Sequence, residues 1–203
     1  MKKELPHFHI GNEYGGSQNW LTDLFMKIGG CATVTACDMA IYLKMYKGKD
    51  KLYPNDIENI SRRDYNEFSK YMKTFLRPRI SGIDKLEMYI EGMEAFFKDV
   101  GESGVSLSTL DGNESAFTAK KVLKKQIDKG IPVPTLTLRH NQREFIEYAW
   151  HWYILNAYEE VTVGSETFLM VKAVTNGYYR WVDLYRLWNT GFSKKGGFII
   201  FDV

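Results

Sequence analysis

The sequence predicts an α+β fold with its helices first and an antiparallel sheet last. Three observations carry this. An apolar run extends from Cys31 to about Tyr46, two segments between residues 61 and 100 repeat apolar residues at helical spacing, and beyond Gly130 the pattern becomes strand-like. With 203 residues and 44% hydrophobic content, the chain closes one core. The expected organisation is a single domain over residues 1–203. Residues 1–46 form an opening loop and a central helix, residues 47–130 a helical subdomain, and residues 131–203 the sheet.

Residues 1–30 read as irregular, punctuated by Gly11, Gly15, Gly16, Gly29 and Gly30, with a short helical turn between Asn19 and Met26. From Cys31 onward the helix is apolar nearly all round, which predicts burial on most sides. Asp64 to Phe75 and Ile83 to Val100 carry one-sided aromatic stripes and read as amphipathic helices expected to cover or flank the cleft and govern access to it. Gly101 to Gly112 reads as a Ser/Gly-rich connection, and Thr118 to Lys129 as a helix that Gly130 terminates. Val133–Leu138, Ala149–Tyr158, Thr167–Val174, Tyr178–Val182 and Gly197–Val203 then read as strands.

Charge and composition exclude several function classes. Lys and Arg number 27 against 25 acidic residues, and a net charge of +2 gives no basis for binding nucleic acid or an anionic membrane. No apolar run approaches the ~20 residues that span a bilayer, and no apolar stretch follows Lys2-Lys3, so a cytoplasmic location is expected. The two cysteines stand six apart on one helix and point in different directions, which excludes a bridge. Histidines 7, 9, 140 and 151 have no ligand-like spacing with them, and no metal or organic cofactor is implied.

The chemistry concentrates at Gly29-Gly30-Cys31. Two glycines allow a sharp turn into a helix, and the free N–H groups and positive dipole end at that helix start favour a thiolate. A cysteine nucleophile also needs a base, a group that orients the base, and an oxyanion donor. His151 lies between tryptophans at the start of an apolar strand and is the expected base; His140, among Arg139, Asn141, Gln142 and Arg143, reads as solvated. Asn176 ends the next strand and can orient an imidazole, although Asn176-Gly177 is also a tight-turn signal; Asp183 is the competing orienter. Gln18 or Asn19, on a loop upstream of the thiol, can supply an amide to the oxyanion.

The order of these residues resembles the papain-like cysteine peptidases: an amide, then Gly-Gly-Cys heading a long apolar helix, then His-Trp on a strand, then an asparagine. The resemblance is to the bacterial branch related to double-glycine bacteriocin-leader-processing peptidases, and includes the Lys129-Gly130-Ile131-Pro132-Val133 step. It covers Gly15 to Leu43 and Lys120 onward, not residues 47–115. The chain has Ala32-Thr33 where that branch usually has Gly-Pro, Asn176 where many members carry aspartate, and Gln18 13 positions before Cys31, about twice the common gap.

The resemblance implies a papain-like fold and thiol-dependent cleavage of a peptide, isopeptide or other amide bond through an acyl-enzyme. Cys31 would be nucleophile, His151 base, Asn176 orienter, and Gln18 or Asn19 the oxyanion donor. The expected partner is a peptide or protein substrate, and an amine can resolve the acyl-enzyme as well as water. The alternative is a catalytically silent papain-like domain that binds a peptide or partner protein in its cleft.

Overall fold

The computed structural model describes residues 1–78 and 82–203. Residues 79–81, part of the segment expected to flank the cleft, lie outside the described residues. The chain runs through β1 (Lys2–Glu4), β2 (His9–Ile10), β3 (Glu13–Tyr14), α1 (Leu24–Gly29), α2 (Cys31–Lys47), α3 (Arg62–Met72) and α4 (Leu86–Asp99). It continues through β4 (Ser106–Asp111), α5 (Ala116–Asp128), β5 (Val133–Thr137), β6 (His151–Val163), β7 (Glu166–Thr175), β8 (Tyr178–Asp183), α6 (Leu184–Trp188) and β9 (Gly196–Asp202). The architecture is α+β, and the pairings of the main sheet are antiparallel.

The main sheet runs β4-β9-β5-β6-β7-β8. Strand β6 is its spine. Along one edge β6 pairs with β7, and along the other with β5 over its first residues and with β1 over Ala157–Glu159. Two segments expected to be irregular therefore belong to the sheet. β1 pairs with β6, and β4 pairs with β9, placing Leu107 opposite Phe201 and Thr109 opposite Ile199. Their pattern is too short and polar to announce a strand, and it is the partner's unpaired backbone that recruits them.

Helix α2 is the centre of the molecule. Every residue from Cys31 to Leu43 is buried, and the helix closes on Gly48, which takes the left-handed conformation (φ +65°) with its N–H on the Leu43 carbonyl. Helix α3 packs on α2: Tyr65 is fully buried and its hydroxyl donates to Asp38 on α2 at 2.7 Å. Helix α4 packs on β4 and β9, and Tyr89 stacks on Trp152 of β6 with ring centroids 4.5 Å apart. No helix among the described residues is long and apolar enough to cross a membrane.

A buried polar cluster ties the N-terminal loop to α2. Both carboxylate oxygens of Asp38 accept the Gly16 N–H at 3.2 Å, and burial pushes this carboxyl up to about 7 against the opposing effect of Tyr65 and Gly16. Nearby, both ring nitrogens of His7 are buried without a hydrogen-bond partner among the described residues, and burial, with help from Lys172, lowers this imidazole to about 3. The signs of these shifts oppose one another. Asp38 holds its proton longer folded than unfolded, so its contribution falls as pH rises from about 4 to 7. His7 and His151, lowered to about 3 and 4, charge more readily when unfolded, so their contributions are lost as pH falls below about 6.5. Asp38→Asn is therefore expected to make stability rise more steeply between about pH 4 and 6.5 than in the parent. Urea unfolding across that range checks it, and an unchanged slope contradicts it.

Candidate active site

Cys31 is the first residue of α2, and the two glycines before it serve different purposes. Gly29 ends α1, while Gly30 is the shared cap of the two helices, with an ordinary φ of −84°. Its need for glycine is steric: a Cβ there would lie 2.3 Å from the Met26 carbonyl oxygen. Lack of room, not a left-handed turn, therefore lets α1 run directly into α2 and present Cys31 at the junction.

The Cys31 thiol meets the start of β6. Backbone N–H groups of Trp152, Ala32 and Cys31 itself favour the thiolate, but burial outweighs them and pushes the thiol up. The expected depression of this thiol by the helix start is thus reversed in direction, because Cys31 is buried, only 8% exposed. Cys37, one and a half turns along, is fully buried and raised well above the ordinary thiol range.

His151 is the first residue of β6, one residue from the backbone that faces the thiol. Burial lowers its imidazole to about 4. One ring nitrogen, Nε2, lies 2.6 Å from the Thr175 hydroxyl at the end of β7. The neighbouring Trp152 is anchored by its indole N–H, which donates to the Ile83 carbonyl at 2.7 Å. Trp150, on the other side of His151, takes a left-handed φ of +52° with its N–H on the Leu138 carbonyl. That conformation costs about 1–2 kcal/mol for a residue with a Cβ, and it delivers the chain into β6 with His151 as the first paired residue, opposite Thr137.

The hydrogen-bond partner of the His151 ring is Thr175, where the sequence suggests Asn176 or Asp183. Asn176 stands at φ +50° in the two-residue turn between β7 and β8, and its side-chain oxygen accepts the Gln18 backbone N–H at 3.3 Å. The turn uses Asn176 and leaves the last strand residue, Thr175, to meet the ring. Asp183 is committed elsewhere: it caps α6 by accepting the Arg186 N–H at 2.7 Å. Thr175 was missed because a threonine ending a strand carries no signal of its own; the Asn-Gly turn reading, taken strictly, points to the residue before it.

Gln18 and Asn19 part company. Gln18 is half-buried, its Nε2 donating to the Lys27 carbonyl of α1 at 2.5 Å, and its Oε1 is buried without a partner among the described residues. Asn19 is exposed, with its backbone N–H on the Ser17 hydroxyl. The structure therefore places Gln18, not Asn19, against the helix leading to the thiol.

His140 is buried, not solvated. Its Nδ1 accepts the Gln142 N–H and its Nε2 donates to the Arg186 carbonyl at 3.1 Å, which fixes a neutral ring. Burial lowers its pKa. The cover is α6, a short helix that the sequence pattern does not disclose.

The helices of the middle segment reach the site indirectly. Gly82 and Ile83, just before α4, line a cavity with Cys31, and Tyr89 of α4 supports Trp152. Helix α3 instead braces α2 from behind through Tyr65 and Asp38.

Comparison of the chain with models of known protein families, with curated proteins and with solved structures finds no match in any of the three.

Proposed function

We propose that the protein is a thiol-dependent hydrolase of papain-like fold that cleaves a peptide, isopeptide or other amide bond. The observation that carries this reading is the junction of α2 with β6. Cys31 heads a buried helix with its thiol at the Trp152 N–H, and His151, the residue before Trp152, has its Nε2 held by the Thr175 hydroxyl. Burial favours the neutral form of each group alone, but a proton passed from sulfur to imidazole creates two opposite charges whose attraction counters that burial. The thiolate attacks the substrate carbonyl, and the imidazolium then protonates the leaving nitrogen. The Cys31 backbone N–H and the Gln18 amide, one of whose two N–H bonds is used on Lys27, are the donors for the oxyanion. Thr175 takes the orienting role and Asn176 positions Gln18. Resolution of the acyl-enzyme by an amine uses the same residues.

The second reading, a silent domain that binds a peptide in its cleft, draws on the burial that holds the thiol up and the imidazole down. The pH dependence of Cys31 alkylation by iodoacetamide, mapped by mass spectrometry, separates the two. For the hydrolase, Cys31 reacts at about pH 6–7 faster than N-acetylcysteine, while Cys37 stays unlabelled. A rate that climbs only as a free thiol ionises, at about pH 8.5 and above, would falsify the catalytic reading.

A further inference from the structure

Cys31 opens onto a cavity of about 320 Å³ whose remaining walls are Ile28, Gly29, Gly82, Ile83, Leu136 and Trp150. Among the described residues, no wall residue other than the cysteine has an ionisable side chain. The two largest side chains at its mouth stand in solvent: Ile28 is 73% exposed and Trp150 52% exposed. They come from different parts of the chain, Ile28 from α1 just before the nucleophile and Trp150 from the residue preceding His151. The indole is held in place by the left-handed backbone at Trp150, whose N–H is tied to Leu138 and whose successor begins β6. Large apolar groups exposed to water in the lining of a pocket that contains a cysteine thiol are suited to a ligand that covers them.

We infer that this pocket takes a bulky, uncharged apolar side chain of the substrate beside the carbonyl that Cys31 attacks, with Trp150 and Ile28 as the specificity-determining lips. The inference rests on Cys31 being the nucleophile. A charged group would lose its hydration against these walls, whose described residues other than Cys31 offer no countercharge to replace it. A pair of glycines would leave both lips uncovered, so the pocket departs from what the resemblance to double-glycine peptidases implies.

The test compares two thiol reagents on the intact protein, benzyl methanethiosulfonate and 2-sulfonatoethyl methanethiosulfonate. Each transfers its thio group to the Cys31 sulfur as a disulfide and releases methanesulfinate, so the nucleophilicity of the sulfur cancels in the ratio of the two rates. Normalised to the same ratio for N-acetylcysteine, the benzyl reagent is expected to be favoured at Cys31 by about tenfold or more. Trp150→Ala and Ile28→Ala should each cut that preference about threefold or more, and Ile28→Lys should shift it toward the anionic reagent. Both side chains are exposed, so these variants keep the fold, which circular dichroism verifies. A normalised ratio near one, or a ratio that none of the variants moves, overturns the pocket assignment. Failure of the hydrolase reading shows separately: His151→Ala would then leave the absolute rates of both reagents unchanged.

Discussion

Replacing His151 by alanine is expected to slow the reaction of Cys31 with iodoacetamide at about pH 6.5 by about a hundredfold or more. In the proposed mechanism the imidazole of His151, the residue before Trp152 on β6, takes the sulfur's proton. Without it, the proton stays on a thiol that burial already pushes up, and at two or more units below its pKa at most about 1% of the sulfur is thiolate. Thr175→Val should have a smaller effect, about tenfold, because it removes the hydroxyl 2.6 Å from Nε2 but leaves the ring. Thr175→Ser keeps the hydroxyl and should restore both the rate and its pH profile. Asn176→Ala should leave that profile in place, since its oxygen faces the Gln18 backbone. A larger effect at Asn176 than at Thr175 would return the orienting role to the asparagine.

The second large effect is on stability. Gly16→Ala is expected to cost about 2–6 kcal/mol, from overpacking a filled site and leaving buried polar groups unpaired. A Cβ at Gly16 would lie 2.0 Å from the Tyr65 hydroxyl, whose ring is fully buried and has nowhere to move. Displacing it takes from Asp38 its hydroxyl donor and disturbs the Gly16 N–H that both carboxylate oxygens accept. Gly164→Ala is the control. Unlike Gly16, it has a backbone conformation that disfavours a side chain (φ +63°), but nothing lies within 4 Å, so only the backbone cost of about 1 kcal/mol is expected. Urea unfolding of the two variants measures the difference, and equal losses would mean that the Asp38 cluster contributes little.

What the sequence determined by itself is the part of the structure written in local pattern. The helix beginning at Cys31, the amphipathic helices around residues 64–75 and 83–100, and the strands after Gly130 follow from apolar spacing and glycine punctuation within a few residues. The tight turn at Asn176-Gly177 was readable for the same reason. Tertiary structure decided everything that depends on a distant partner. β1 and β4 are strands because β6 and β9 present edges to them, and His140 is buried because α6 covers it. Thr175, not Asn176, meets His151 because the turn takes the asparagine toward Gln18. The direction of the Cys31 shift was also outside local reach. The helix start acts over one turn and is visible in the sequence, whereas desolvation is set by how closely β6 and the residues before α4 pack around the sulfur.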